Sequence, residues 1–477
     1  MEGSDTLSIS IVWIRNDLRL EDNTALIEAV NNTGKDEKIL LVFYLDPKQL
    51  KRGTYSHDYF FSALNTFYQR CLEQTLDMYF LYGDLEECFS KLIREFYTVN
   101  KIYFNIDDSG YGEMRDNQVK KILKKSNVGI MDYYDRHIHS AKEILKGDGS
   151  HYKVFTPYYN KWSQRLVRQV QEVDYDKLGK IILNDFSGRD REGREKFHEI
   201  VAGIDKDLSL LTGETVAEEV LQEFVHHRLA DYDESRDYPY IDATSRLSKF
   251  LSTGQLSVRK AHQSLLEAPN SKGKETFIKE LAWRDFYNMI YHFYPNQKEE
   301  EVVERYRTIR WDHDERKFEI WKEGKTGFPI VDAAMRQLKE EGWMHNRLRM
   351  IVASFFTKDL LMDWRMGENY FSQMLTDYDS ASNIGGWQWA ASVGTDAVPY
   401  FRIFNPSTQS KKFDPEGTFI KKYVRELKDI PTKYIHEPFR YAKQIDRECG
   451  IDIEKIYFEP IVDHKEQRLK ALELFGV

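Results

Sequence analysis

The stretch from Asp377 to Trp389 holds an unusually dense group of side chains with binding chemistry. It reads Asp-Tyr-Asp-Ser-Ala-Ser-Asn-Ile-Gly-Gly-Trp-Gln-Trp, so it combines two carboxylates, an amide, a glycine pair and two indoles. Carboxylates and amides offer hydrogen-bond partners, glycines permit close backbone approach, and indoles present large π-faces. The composition is atypical of a helix and suits a segment that holds a planar, heteroatom-rich molecule. A polar loop leading into a Trp-rich core helix is the alternative.

The segment Thr244-Ser-Arg-Leu-Ser248 places three hydroxyls and a guanidinium just before a helix predicted from Lys249 onward. Hydroxyls and free backbone N–H groups at a helix start bind anions such as a pyrophosphate. An ordinary N-cap cluster explains the same residues equally well.

Two helical patterns carry further candidates. Glu280, Trp283, Arg284 and Tyr287 share one helix side by their i, i+3, i+4 and i+7 spacing. A carboxyl beside an indole can hydrogen-bond a base that stacks on the indole, although a surface ion pair beside a buried Trp has the same pattern. On a second helix flank lie Asn346, Arg349 and Met350, which suit carbonyls, phosphates and apolar contacts respectively.

Metal binding is not predicted. His345 has no second ligand at zinc-like spacing, and the three cysteines are too few for a four-thiolate iron–sulfur cluster. We expect the histidines to be solvated or hydrogen-bonded.

Composition sets the remaining limits. At 477 residues the chain is long enough for two or three domains, and seven of its nine Trp lie between Trp283 and Trp389. The net charge of −9 disfavours a protein that coats polyanions over its whole surface, although a local basic face is compatible with it. Few cysteines, no signal segment and no membrane-length apolar run predict a cytoplasmic protein without a membrane contact.

Five short apolar runs alternate with amphipathic segments in the first 140 residues. This alternation predicts an α/β domain with a doubly wound, five-stranded parallel sheet at residues 1–139. No GxGxxG follows the first strand, so classical dinucleotide binding is disfavoured there. Residues 140–206 are predicted to be an interdomain connection with a short helix around Tyr158 to Val173. Helical periodicity then predicts an all-α domain at residues 207–477. The strands are expected at Ile9 to Ile14, Ile39 to Leu45, Met78 to Tyr82, Lys101 to Ile106 and Val128 to Tyr134.

Taken together, the chain resembles the photolyase/cryptochrome flavoprotein family, and within it the class I cyclobutane pyrimidine dimer photolyases. The resemblance covers nearly the whole chain. It rests on ordered motifs at Ile11 to Leu20, Trp321 to Leu338, Gly342 to Met350, Asp359 to Arg365, Gly386 to Trp389 and Asn405 to Gln409.

The resemblance implies a U-shaped FAD in the helical domain. Asn383 would face flavin N5, Arg349 would pair with Asp377, and Phe277 stands where relatives often have Trp. The other residues implied to hold FAD are Tyr232, Thr244, Ser245, Arg246, Leu247, Ser248, Tyr378 and Asp379.

The resemblance also implies a carbon–carbon lyase that repairs UV-damaged DNA. Excited FADH⁻ would donate an electron to a flipped-out dimer, with Glu280 holding the dimer carbonyls and Asn346 the other base. The electron-transfer chain would be Trp387, Trp364 and Trp311, from flavin to surface. The remaining DNA-binding residues would be Arg236, Trp283, Arg284, Tyr287, Arg347, Met350, Trp389, Gln409 and Lys411.

A few positions bear on subclass. (6-4) photolyases use histidines where this chain has Asn346 and Met350, and plant cryptochromes usually carry Asp where it has Asn383. The alternative is a cryptochrome-type blue-light photoreceptor without repair activity. A monomer is expected.

An antenna chromophore is implied for the α/β domain. Glu113 matches the acidic ligand of folate-binding relatives, whereas Gly112 departs from their usual Asn. Methenyltetrahydrofolate is the first choice, with a deazaflavin or FMN as alternatives.

Overall fold

The computed structural model describes residues 8–34, 36–96 and 98–476. Their contacts divide the chain into two compact units. The first unit comprises Met1–Tyr152, Thr156–Ala230 and Ser245–Phe293, and the second comprises Lys153–Phe155, Asp231–Thr244 and Tyr294–Val477. The domain boundaries expected from the sequence stay a prediction.

The first unit contains a five-stranded parallel sheet with the order β3-β2-β1-β4-β5. All five predicted strands are confirmed to within two residues at each end. They are β1 (Ser8–Ile14), β2 (Glu37–Leu45), β3 (Met78–Tyr82), β4 (Val99–Asn105) and β5 (Gly129–Tyr133).

Both faces of this sheet are covered by helices, which confirms the doubly wound class. Side chains such as Val12 and Ile14 pack with helices on one face, while Ile11 and Trp13 pack with helices on the other. Strands buried on both faces read as continuous apolar runs, which is why the sequence pattern identified them. The flanking helices are α1 (Thr24–Asn32), α2 (Tyr55–Glu73), α3 (Leu85–Glu95) and α4 (Gly110–Lys125).

The segment predicted as a connection contains three helices. The helix expected around Tyr158 to Val173 lies earlier, at α5 (Phe155–Trp162), and is followed by α6 (Tyr175–Ile181) and α7 (Arg191–Ala202). Phe197 of α7 stacks on Phe80 of β3 with ring centroids 4.4 Å apart. A Cβ at Gly193 would lie 1.9 Å from the Phe80 carbonyl oxygen, so glycine permits this close approach of α7 to the sheet.

Helices make up the rest of the first unit. They are α8 (Glu214–His227), α10 (Ser248–Thr253), α11 (Val258–Glu267) and α12 (Lys272–Phe293). Arg259 of α11 forms ion pairs with Asp22 at 2.9 Å and with Asp135 at 2.7 Å. Asp22 lies between β1 and α1, and Asp135 lies after β5.

The second unit is helical in its described residues. Its helices are α9 (Tyr232–Ser235), α13 (Glu315–Lys322), α14 (Pro329–Glu341), α15 (Asn346–Ser354), α16 (Trp364–Met374), α17 (Ser380–Ala390), α18 (Pro406–Phe413), α19 (Thr418–Tyr423), α20 (Thr432–Ile435), α21 (Ala442–Cys449), α22 (Ile453–Ile456) and α23 (His464–Leu474). A π-helical turn, Phe355–Asp359, continues α15. Asp or Asn side chains accept N–H bonds at the starts of α13, α16, α17, α18 and α23.

Among the residues that the structure describes, no helix is both long enough and apolar enough to span a bilayer.

Candidate functional site

The Asp377 to Trp389 stretch is helical from Ser380 onward, so the expectation that its composition would not form a helix is wrong. Its local structure is that of the alternative, a polar segment leading into a Trp-containing helix. Asp379 caps α17 by accepting a 2.9 Å hydrogen bond from the Ser382 N–H. The capping aspartate and the buried faces of the helix outweigh the low helix propensity of the glycine pair. At Gly386 an added Cβ would meet no atom within 4 Å, so open space adjoins this side of α17.

The amide of Asn383 is held in one orientation by a buried carboxylate. Its Nδ2 donates to Glu368 Oε1 at 3.1 Å and to the Glu368 carbonyl at 3.3 Å. The Tyr378 hydroxyl donates to the same Oε1 at 3.0 Å. With both N–H interactions directed at Glu368, the Asn383 carbonyl oxygen points away as an acceptor. The sequence did not predict Glu368 or this role of Tyr378, because Glu368 lies fifteen residues before Asn383 and no local pattern joins them.

Arg349 and Asp377 form the ion pair that the resemblance implies. Nη2 of Arg349 lies 3.0 and 2.8 Å from the two oxygens of Asp377, whose side chain is buried. The Arg349 Nε donates to the Met344 carbonyl at 2.9 Å, which fixes the guanidinium plane. Together with Asn383, this pair offers both donors and acceptors within one unit, a set that fits the heteroatom edge of a flavin.

The three tryptophans of the implied electron-transfer chain all lie in the second unit. Trp387 and Trp364 are 2% and 0% exposed, and Trp311 is 8% exposed; the order of the chain stays a prediction. Trp387 packs over Gly367, where an added Cβ would lie 2.1 Å from the indole. The indole N–H groups of Trp364 and Trp311 each donate to Oε1 of Glu301 at 3.2 Å. Sequence reasoning missed Glu301.

The start of α15 carries the residues predicted to contact DNA, together with His345. His345 caps the helix, its Nδ1 accepting the Arg347 N–H at 3.1 Å, so this histidine is hydrogen-bonded as expected. The Arg347 guanidinium lies over the Phe413 ring at 4.4 Å and pairs with Asp237 at 2.8 Å. Asn346 and Met350 flank it on the same helix.

Four other predicted residues lie elsewhere in the second unit. Gln409 and Lys411 are on α18, with Lys411 Nζ 2.5 Å from Glu437. Arg236 follows α9, and its guanidinium lies 5.4 Å from the Tyr232 ring centroid. Trp389 is half-buried near the end of α17.

In the first unit, α12 carries the four residues that the sequence placed on one helix side, which are Glu280, Trp283, Arg284 and Tyr287. Trp283 and Tyr287 stack at 5.6 Å with an interplanar angle of 30°, and both are half-buried, as is Glu280. Arg284 donates to the carbonyls of Arg136 and Leu251 at 2.6 and 3.2 Å. The structure therefore gives Arg284 a bracing contact that the sequence did not predict.

Near the start of α10, the backbone of Arg246 adopts a positive φ of 56°, and the Leu247 N–H bonds to Ser245 Oγ at 3.3 Å. A strained non-glycine residue of this kind often marks a functional turn. Phe277 of α12 contacts Phe224 with ring centroids 4.7 Å apart.

Glu113 lies in the first turn of α4, with its Oε2 3.4 Å from His292 Nδ1. The structure also explains the glycine at the preceding position. A Cβ at Gly112 would lie 2.4 Å from the side chain of Asp107, so an asparagine there would displace that carboxylate.

A narrow polar crevice lies at the carboxyl ends of β1, β4 and β5. Strand order reverses between β1 and β4, and ligands of open α/β sheets bind at such a point. Burial alone would raise the pKa of Asp107. The nearby guanidiniums of Arg136, Arg15 and Arg115 have the larger combined effect, so the pKa is lowered below its ordinary value. The sequence signal was available, because Arg15 follows β1, Asp107 lies two residues beyond β4 and Asp135 lies two residues beyond β5. The crevice is lined by Arg15, Asn16, Asp17, Asn105, Ile106, Asp107, Asp135 and Arg136.

Comparisons with known proteins agree along the whole chain. Residues 10–174 match the family model for DNA photolyase, and residues 277–476 match the FAD binding domain of DNA photolyase. The deoxyribodipyrimidine photo-lyase of Alkalihalophilus pseudofirmus is 47% identical, covering 100% of this chain and 99% of the relative.

Two solved structures show the same fold. A bacterial class III photolyase from Agrobacterium tumefaciens has a TM-score of 0.91 and 32% identity, covering 100% of this chain and 98% of the other. An archaeal photolyase from Sulfolobus tokodaii, solved with two FAD molecules, has a TM-score of 0.82 and 32% identity, covering 98% and 99%. With a relative this similar over its full length, the chain belongs to the DNA photolyase family.

Proposed function

We propose that this protein is a deoxyribodipyrimidine photo-lyase that splits cyclobutane pyrimidine dimers in UV-damaged DNA under light. The observation that carries the proposal is the 47% identity, over the whole chain, with a protein of that name. Reduced FAD, when bound, supplies the electron that opens the dimer after it absorbs light. The residues of the chain must therefore hold the flavin, position the dimer and restore the reduced cofactor.

Arg349, Asp377 and Asn383 are the residues we assign to the isoalloxazine ring. The Arg349–Asp377 pair, whose carboxylate is buried, supplies a fixed charge pattern, and Asn383 presents its carbonyl oxygen because Glu368 holds its N–H groups. A pre-oriented acceptor loses no rotamer freedom on binding. The other FAD-binding residues in the proposal are Tyr232, Thr244, Ser245, Arg246, Leu247, Ser248, Phe277, Tyr378 and Asp379.

Glu280 and Asn346 are assigned to the two bases of the dimer. On α12 the stacked pair Trp283 and Tyr287 offers an aromatic surface beside the Glu280 carboxyl, which suits a base removed from its duplex. Met350 and Trp389 would add apolar contacts. The residues proposed to contact the DNA backbone are Arg236, Arg347, Gln409 and Lys411. The predicted contact of Arg284 with DNA stays a prediction.

The Asp237 partner of Arg347 has a consequence for DNA binding. A DNA phosphate that approaches the Arg347 guanidinium competes with the Asp237 carboxylate for it. The Asp237 side chain is 39% exposed. Ion pairs in contact with water contribute about 1 kcal/mol or less, and the exposed Asp237 carboxylate places this pair near that class, so the exchange costs little.

Trp387, Trp364 and Trp311 are assigned to the reduction of the flavin. Trp311 is the most exposed of the three, so an electron from a soluble donor would enter there.

The decisive experiment measures repair directly. Protein reduced with dithionite is mixed with an oligonucleotide that contains one thymine dimer, and restored thymines are counted after blue light and after darkness. Light-dependent restoration supports the proposal. Protein that binds FAD but leaves the dimers intact would refute the proposal, and a light-driven conformational change in that protein would favour a photoreceptor of the cryptochrome type.

For the antenna we propose methenyltetrahydrofolate, bound near Glu113. The support for folate is the carboxylate of Glu113, which lies in the first turn of α4 with its Oε2 3.4 Å from His292 Nδ1. Absorption spectra of purified protein test this, because a folate adds a near-ultraviolet band to the flavin bands and a deazaflavin adds a visible one. Glu113→Ala should remove the folate band and leave the flavin bands.

A further inference from the structure

One buried carboxylate joins two of the three tryptophans. Glu301 is 3% exposed, and its Oε1 accepts the N–H of Trp311 and the N–H of Trp364, both at 3.2 Å. Its Oε2 lies 2.9 Å from the guanidinium of Arg365. Both indoles therefore share a single anionic acceptor. A carboxylate at this distance lowers the free energy of a positive charge on either ring, because burial weakens screening by water.

The guanidinium of Arg365 lies closer to one of the two indoles than to the other. The Arg365 guanidinium lies over the Trp364 ring, 4.7 Å from its centroid, while Trp311 contacts the Phe475 ring at 6.3 Å. A cation over an indole is attracted to the neutral ring and opposes removal of an electron from it. Trp364 is also fully buried, whereas Trp311 is 8% exposed and gains some hydration. Both differences make Trp311 easier to oxidise than Trp364.

Lys358 is a second cation in this region, and it does not reverse the difference. Its Nζ lies 3.8 Å from the centroid of the Phe475 ring, and that ring in turn contacts Trp311. Burial lowers the pKa of Lys358 to about 7, which leaves much of it neutral near neutral pH. Arg365, in contrast, is held by Glu301 and Asp363.

We propose that Glu301 and Arg365 are positioning residues that direct an electron vacancy outward from Trp364 to Trp311. The inference rests on the proposed role of the tryptophans in flavin reduction. The oxidant is photoexcited, oxidised flavin, which takes one electron from the chain. Each later hop moves one electron from the outer indole to the inner one. No bond breaks, and both N–H protons remain in their hydrogen bonds to Glu301.

The first test replaces the charge and keeps the shape. Glu301→Gln retains a carbonyl acceptor at Oε1 but removes the anion. Holoenzyme with oxidised flavin is excited by a blue flash, and transient absorption follows the tryptophan radical. We expect the yield of long-lived radical to fall about tenfold, the equivalent of one charged hydrogen bond. Glu299→Gln removes the same charge from an exposed neighbouring position and should behave as the unaltered protein.

The second test removes the cation. Arg365→Gln leaves Glu301 in place, so the vacancy should still leave Trp387 but spend more time on Trp364. We expect the radical lifetime to shorten about threefold, as a lost cation–π contact predicts. This variant decides the matter if Glu301→Gln fails to retain FAD. Unchanged radical lifetime in Arg365→Gln, or unchanged yield in a folded Glu301→Gln, would overturn the inference.

Trp311→Phe separates this inference from the proposed function. If that variant loses the long-lived radical while the Glu301 and Arg365 variants keep it, the chain carries electrons without their guidance. If Trp311→Phe changes nothing, the assignment of the tryptophan chain itself is wrong, and the inference falls with it.

Discussion

The orientation of one amide depends on a residue fifteen positions away. Asn383 donates to Glu368, and Tyr378 donates to the same oxygen, so a buried carboxylate decides which side of the amide is presented. Without Glu368 the amide can rotate, because nothing else in this hydrogen-bond group distinguishes its oxygen from its nitrogen.

We therefore predict that Glu368→Ala lowers the dimer-splitting rate of reduced protein about tenfold or more, since small errors in orientation are costly in catalysis. Repair per absorbed photon measures this, and flavin absorbance reports retained FAD. Asn369→Ala, at the next and exposed position of α16, is the control and should leave repair unchanged.

Glu280 supplies the second prediction at this scale. Glu280→Ala removes the carboxyl that we assign to the dimer carbonyls, and repair should slow about tenfold or more while FAD stays bound. Glu275→Ala, which is exposed one and a half turns earlier on α12, serves as the matched control. Equal repair by both variants would refute the assigned role of Glu280.

Helices α16 and α17 pack through a glycine that an indole covers. The Gly367→Ala methyl would lie 2.1 Å from Trp387, so the ring must move. We expect a loss of about 1–3 kcal/mol in the free energy of unfolding, typical of overpacking in a core. Gly386→Ala is the contrasting change, because its methyl meets open space and alanine favours a helix by about 1 kcal/mol. Denaturant unfolding of the two apoproteins compares them.

A buried carboxyl on α12 makes the stability of the first unit depend on pH. Asp285 Oδ2 accepts the His139 N–H and the Trp162 indole N–H, both at 2.8 Å. Burial is the largest influence and raises the pKa of Asp285 to about 7, from an ordinary value of 3.8. A raised carboxyl pKa favours the folded state at low pH, and that contribution is lost as pH rises from about 4 to about 7.

Asp285→Asn should remove this dependence. Relative to the variant, the unaltered protein should lose about 1.4 kcal/mol of unfolding free energy per pH unit across that window and no more above it. Urea unfolding at several pH values measures the difference. A difference that stays constant from pH 4 to 7 would contradict the raised pKa.

At the scale of the whole molecule, a net charge of −9 coexists with a few cations assigned to DNA. Three of them, Arg236, Arg347 and Lys411, would contact phosphates. Binding of single-stranded damaged DNA should therefore weaken with salt, with a slope of log K against log salt of about −2. Lys411→Ala should reduce that slope by about 0.7, whereas exposed Lys443→Ala should not. Titrations at several salt concentrations test both.

Much of the fold was predictable because its signals are local. Apolar runs of strand length marked all five strands, and helical periodicity marked the second unit. Three local predictions missed. The helix at α5 was placed too late, α6 and α7 were not seen, and the glycine-containing α17 was not expected to be a helix. In each case packing decided the outcome, as where Phe197 stacks on Phe80.

The sequence by itself determined the family, because ordered motifs do not depend on geometry, and it also supplied the site residues and the three tryptophans as predictions. Only the tertiary structure decided which partners orient them. Glu368 behind Asn383, Glu301 between two indoles and the crevice at the strand ends all join residues that are distant in the chain. Hydrogen bonds and electrostatic interactions act over a few ångströms of space, and the folded backbone sets those distances.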